Sequence, residues 1–103
     1  MDYSDEDIFN AAKKIVAKTF NVSVDTIRLD DEFGKDLEYS SVSDFKWNEY
    51  DDTLDYIRDA ADRSILKELN SGALVIITVD DFCKHMIRCY HINQKKVAKI
   101  LEI

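Results

Sequence analysis

The chain has 103 residues, and 21 acids against 14 lysines and arginines leave a net charge of −7. That balance disfavours nucleic acid, because phosphates repel it and no basic stripe offsets the repulsion. An apolar fraction of 46% argues against wholesale disorder, and no apolar run approaches the length of a bilayer span. One domain over 1–103 is the natural reading, with 1–3 and 102–103 frayed. The acidic start Met1-Asp2-Tyr3-Ser4-Asp5-Glu6-Asp7 does not read as a secretory signal, so a cytoplasmic, monomeric protein is expected.

The first helix is expected over about Ser4 to Phe20. Ile8, Ala11, Ala12, Ile15, Val16 and Phe20 recur at helical spacing, with Lys13, Lys14 and Lys18 facing away. Ser4 with Asp7 makes a capping box, and Asn21 suits a left-handed helix end. Residues 22–37 fit neither the helical nor the strand period. Their spaced anchors Val22, Ile27, Leu29, Phe33 and Leu37 read as a long ordered loop pinned to a core, a kind of loop that is often functional.

Helix-favouring residues return from Ser41 to about Leu69. Val42 and Phe45 start one stripe, and Leu54, Ile57, Ala60, Ala61, Ile65, Leu66 and Leu69 form a longer one. A break is expected at 48–52, with Asp51 or Asp52 capping a second helix. Asn70-Ser71-Gly72 signals a turn. The run 73–79 is apolar and partly β-branched, but no comparable strand exists to pair with it. A buried extended connection or a short helical turn is therefore expected. Thr78 with Asp81 opens the next helix, which places Val79, Phe82, Cys83, Met86, Ile87 and Tyr90 on one face. Asn93 caps a last short helix bearing Val97, Ile100 and Leu101.

The fold class implied is all-α: three main helices plus one or two short ones, with a long loop between the first two. Its core should hold Ile8, Ile15, Phe20, Ile27, Phe33, Leu37, Phe45, Leu54, Ile57, Val79, Phe82, Met86 and Ile87. Cys83 and Cys89 lie six apart, and only His85 and His91 are near them. That is a poor zinc pattern, so packed thiols and surface or packing histidines are expected. Asp51, Asp52 and Asp55 lack the glycine and alternating oxygens of a calcium loop. No glycine-rich phosphate loop or nucleophile motif is present, so catalysis by this chain is not expected.

Charge is uneven. Residues 25–62 carry a net −9 and residues 63–103 a net +3. A partner with a basic patch should therefore dock on the long loop and the helix after it. Asp36, Glu38, Asp44, Glu49 and Asp52 are the partner-facing candidates. Trp47 is either an anchor for that partner or a residue packed at the domain edge.

This order of elements resembles the acyl carrier protein family over about residues 5–90. Phe20-Asn21-Val22-Ser23-Val24-Asp25-Thr26-Ile27 is similar to the end of that family's first helix. Asp31-Glu32-Phe33-Gly34-Lys35-Asp36-Leu37 is similar to its loop, and Ile77-Thr78-Val79-Asp80-Asp81-Phe82 to the entry of its last helix. The resemblance puts Ser41, with Ser40 as runner-up, on the serine that carries 4′-phosphopantetheine. It implies an acyl cargo of fatty-acid or secondary-metabolite type, a separate phosphopantetheinyl transferase, and acyl-handling partner enzymes with basic patches. Glu38 stands in place of the family's glycine and Ser40 in place of its aspartate. Lys46 stands where an acid is usual, and the stretch from Ser41 to Val79 is longer. The alternative is an unmodified interaction module, an inhibitor or regulator on the same scaffold, in which Ser40 or Ser41 simply caps a helix.

Overall fold

The computed structural model describes residues 3–37 and 49–103. The helices are α1 (Asp5–Phe20), α2 (Glu49–Ala60), α3 (Arg63–Ser71), α4 (Val79–Ile92) and α5 (Gln94–Ile100), with a 3₁₀ turn at Val24–Thr26. Together they form a small all-α bundle. Among the described residues extended pairing is limited to isolated bridges.

Local chemistry sets the ends of α1 and α4. Ser4 Oγ accepts the Asp7 N–H, and the Asp7 carboxylate accepts the Ser4 N–H in return. Thr78 and Asp81 repeat this box at α4. Each pair satisfies donors that a helix N-terminus otherwise leaves open. Asn21 closes α1 with φ 54°, a left-handed residue whose N–H reaches back to carbonyls of the last turn. Gly72 closes α3 with φ 82°, a conformation that costs glycine nothing. Asn93 Oδ1 accepts the Lys96 N–H at the start of α5.

α1 packs along α4, α2 touches α1, α4 and α5, and α5 lies on α4. Between them Ile8, Ala12, Ile15 and Val16 join Ile57, Ile65, Val79, Phe82, Met86 and Val97 in one core. Phe20, Phe33, Leu54 and Ile87, expected inside, are only half-buried. Phe20, Phe33 and Ile87 pack against the core from its edge, where Phe20 stacks on Phe33 at 5.9 Å and Phe33 meets the edge of Phe82 at 6.0 Å. Phe45 lies outside the described residues. The core also takes in both cysteines, Tyr90 and Leu101. At the chain's two ends, the Tyr3 N–H donates to Tyr90 Oη at 2.9 Å, and Glu102 pairs with Lys18.

Two expectations need correction. Asp51 and Asp52, expected to cap the second helix, lie inside α2, and a break divides α2 from α3 at Ala61–Asp62; Asn48 of the expected break lies outside the described residues. Asp62 takes the capping role expected of them. It is extended at φ −83°, and its carboxylate accepts the Ile65 N–H at 2.8 Å. Secondly, the connection after α3 is extended but not buried. Val75 is 58% and Ile77 48% exposed, while Leu74 and Ile76 pack on the core. Its backbone partner is the long loop. The Phe33 N–H donates to the Ile77 carbonyl, the Val79 N–H to Asp31 and the Asp80 N–H to Leu29, at 2.9–3.0 Å.

Asp81 locks this junction. Besides the Thr78 N–H of the capping box, its carboxylate accepts the Ile77 N–H, both at 3.0 Å. Partial burial pushes the carboxyl up, but the hydrogen bonds from Thr78 and Ile77 outweigh it and hold it below its ordinary value. Asp81→Ala should lower the unfolding free energy by about 1–2 kcal/mol in chemical denaturation, the range of a lost helix cap. An unchanged midpoint would show that the cap contributes nothing.

Candidate functional site

The site region begins in the long loop and runs into α2. Ile27 and Leu37 are the buried anchors of the loop, and Phe33 is wedged between Phe20 and Phe82. A tight turn shapes the last stretch. Gly34, at φ 83°, donates its N–H to the Leu37 carbonyl at 2.8 Å. The Leu37 N–H returns to the Glu32 carbonyl at 3.2 Å. The Asp36 carboxylate accepts the Glu32 N–H at 3.0 Å. Asp36 is thus exposed, as expected of a partner-facing residue, but its carboxylate also braces the turn.

Glu38, Ser40, Ser41, Asp44 and Trp47 lie outside the described residues, and so does Lys46. Glu49 is the first described residue of α2. Asp52 is exposed on α2, where Asp55 and Asp59 share its outer surface. Thr53, Ile57 and Ala60 are buried on the other side of the helix. The spacing 52, 55, 59 follows one helical stripe. None of these three carboxylates has an ion-pair partner among the described residues. The nearby base Arg58 is engaged elsewhere, donating to Asn70 Oδ1 at 3.0 Å. α2 thus presents a row of uncompensated charge. The partner-facing set expected from the sequence did not contain Asp55 and Asp59, although their helical spacing from Asp52 was legible there.

The C-terminal end of α2 is held from a distance, and nothing local in the sequence signals it. The Ala61 N–H bonds to Arg58, not to Ile57, which leaves the Ile57 carbonyl open. Buried His85 of α4 fills the gap, with Nε2 2.8 Å from that oxygen. A carbonyl only accepts, so Nε2 carries the proton. Lys96 of α5 donates to the Ala61 carbonyl at 3.3 Å.

His85 also lies beside Cys89, whose Sγ is 3.6 Å from Nε2 and 3.9 Å from Nδ1. This is not a reactive pair. Burial pushes the Cys89 thiol up to about 11 and lowers the imidazole below its ordinary value. A thiol so protonated beside a neutral ring has little nucleophilic thiolate. Burial likewise raises Cys83 to about 12, and its Sγ faces the Phe9 carbonyl at 3.8 Å. His91 instead sits on the surface against Asp5, 2.7 Å away. No group of three or more His, Cys, Asp or Glu among the described residues is arranged to hold a metal. No described helix is long and apolar enough to cross a membrane.

No family profile, curated protein or solved structure matches this chain.

Proposed function

We propose that the chain is a carrier of the acyl-carrier type, presenting a phosphopantetheine-linked acyl group on Ser41 to partner enzymes. One observation carries the reading: a braced loop leads towards Ser41, and a helix with uncompensated charge follows it. The loop is fixed up to Leu37, four residues before Ser41, and α2 then offers Asp52, Asp55 and Asp59 to solvent. Such a carrier needs no catalytic group of its own. It needs a hydroxyl for the transferase to modify and a charged surface that partner enzymes with basic patches meet transiently. The sequence resemblance supplies Ser41 as that hydroxyl, with Ser40 as runner-up.

A second reading rests on Glu38, Ser40 and Lys46, which replace the residues that the carrier pattern has around its serine. On that reading the same carboxylates bind one basic protein partner and Ser41 stays unmodified. Incubation with coenzyme A and a broad-specificity phosphopantetheinyl transferase, followed by intact mass measurement, separates the two. The carrier reading expects one phosphopantetheine adduct that is lost in Ser41→Ala and kept in Ser40→Ala. An unshifted mass removes the carrier reading and leaves the interaction module.

A further inference from the structure

The connection between α3 and α4 is paired along one edge only. The long loop meets its C-terminal part, where the Phe33 N–H donates to the Ile77 carbonyl at 2.9 Å, and then folds into its own turn at 34–37. Backbone groups of successive residues in an extended chain face opposite edges, so Ile76 turns its N–H and carbonyl to the edge that the loop leaves uncovered. Neither group has a partner among the described residues. The side chains alternate as well. Leu74 and Ile76 pack on the core, while Val75 is 58% and Ile77 48% exposed. Open space of about 230 Å³ lies beside this stretch, bordered by Lys84 and Arg88 of α4. Both cations are already matched, Lys84 by Asp80 at 2.8 Å and Arg88 by Glu68 at 2.6 Å. The Asp81 carboxylate is taken up by backbone N–H groups. A charged partner gains nothing here, and the edge suits an uncharged, β-branched, extended strand. The chain itself holds one: from Asn70 to Val79 there is no Asp, Glu, Lys or Arg, the longest such run in the sequence.

We propose that two copies of this chain pair at this edge, antiparallel, about a two-fold axis at Ile76. In that register each Ile76 N–H donates to the Ile76 carbonyl of the other copy. Val75 of each copy stands opposite Ile77 of the other, an apolar cross-strand pair that the symmetry repeats. An exposed edge with free backbone groups is a template for another chain, and an uncharged β-branched run without proline is the kind of segment that pairs with itself. Only residues 75–77 of each copy take part, which places the contact in the weak, transient class of interface. The loop holds the other edge, so the assembly closes at two copies. The protein is therefore a monomer when dilute and pairs only when concentrated. The inference does not depend on the reading of Ser41.

Sedimentation velocity of the unmodified full chain from micromolar to millimolar concentration should show the mean mass rising from one copy towards two. Amide exchange should slow over the same range at Ile76 more than at Val75, whose N–H faces the other edge. Val75→Lys alters an exposed side chain, so it should keep the circular dichroism spectrum and the unfolding midpoint while the rise in mass is lost. Added salt should leave the rise in place, because no ion pair crosses the contact. The proposal is overturned by a mass that stays at one copy throughout, by a rise that survives Val75→Lys or disappears in salt, or by growth past two copies. A single-copy mass together with slowed exchange at Ile76 on adding an unrelated uncharged β-branched peptide would also overturn it, giving the edge to a foreign strand.

Discussion

Phe82→Ala should remove about 3–5 kcal/mol of stability, the range for truncating a buried phenylalanine. Phe82 is 1% exposed at the first turn of α4, among the core residues that α1 and α4 bury between them. A chain of this length has about 5–15 kcal/mol in total, so the loss takes a large share of it. The effect should not be confined to the core. Phe82 meets Phe33 edge to face, and Phe33 stacks on Phe20. The ring at position 82 is therefore what the long loop leans on. Guanidinium unfolding should show a sharply lower midpoint, and amide exchange should speed up over 28–37 before it does so in α1. A loss under about 1 kcal/mol would mean that the site collapses without a cavity, and the role given to this ring would be wrong.

The loop matters because the proposed carrier chemistry depends on presentation alone. The bracing is redundant: Phe33 holds the loop by its ring, and Asp36 and Gly34 hold it by hydrogen bonds. The connection at 77–80 adds three backbone bonds. A loop with this many fixings keeps its end at Leu37 in place without a sheet. Asp52, Asp55 and Asp59 of α2 form no ion pair among the described residues. The contrast between a braced approach and an uncommitted charged helix separates the part of the surface that builds the fold from the part free to meet a partner.

How far the sequence reveals this differs by element. The ends of α1 and α4 are legible because Ser4 with Asp7, and Thr78 with Asp81, are local devices whose partners lie three residues away. The α2–α3 break is not, because Ile57, Ala60, Ala61 and Ile65 run through it as one apolar stripe. The interruption is stabilised by His85 and Lys96, which are distant in sequence. The partner of the 73–79 run is equally hidden. It is a loop whose anchors follow no period, so the sequence shows no pairing partner for the run. In the candidate site, the charge of residues 25–62 was plain by counting, but the count did not separate Asp36, which braces a turn, from Asp52, which does not.

His85 carries the second large effect, and its sign with pH can be worked out. His85→Leu keeps an apolar body at the site but leaves the buried Ile57 carbonyl without its donor. An unsatisfied buried acceptor costs about 1–3 kcal/mol, and α2 should fray first at Ile57–Ala60. In the wild-type chain burial lowers the imidazole below its ordinary 6.5; the hydrogen bond to Ile57 opposes this, and Arg88 adds to it. The unfolded chain therefore takes up a proton at a higher pH than the folded one does. Stability from His85 is complete above pH 6.5 and is lost as pH falls through the folded value, with a slope of at most about 1.4 kcal/mol per pH unit. A second proton would sit on Nδ1, where the thiol of Cys89 lies 3.9 Å away and offers no compensating charge. The two proteins differ in this side chain alone, so the difference between wild type and His85→Leu isolates this residue. Unfolding free energies measured from pH 8 to pH 5 should converge as pH falls. Two parallel curves would show that the ring is not the buried neutral donor assigned here.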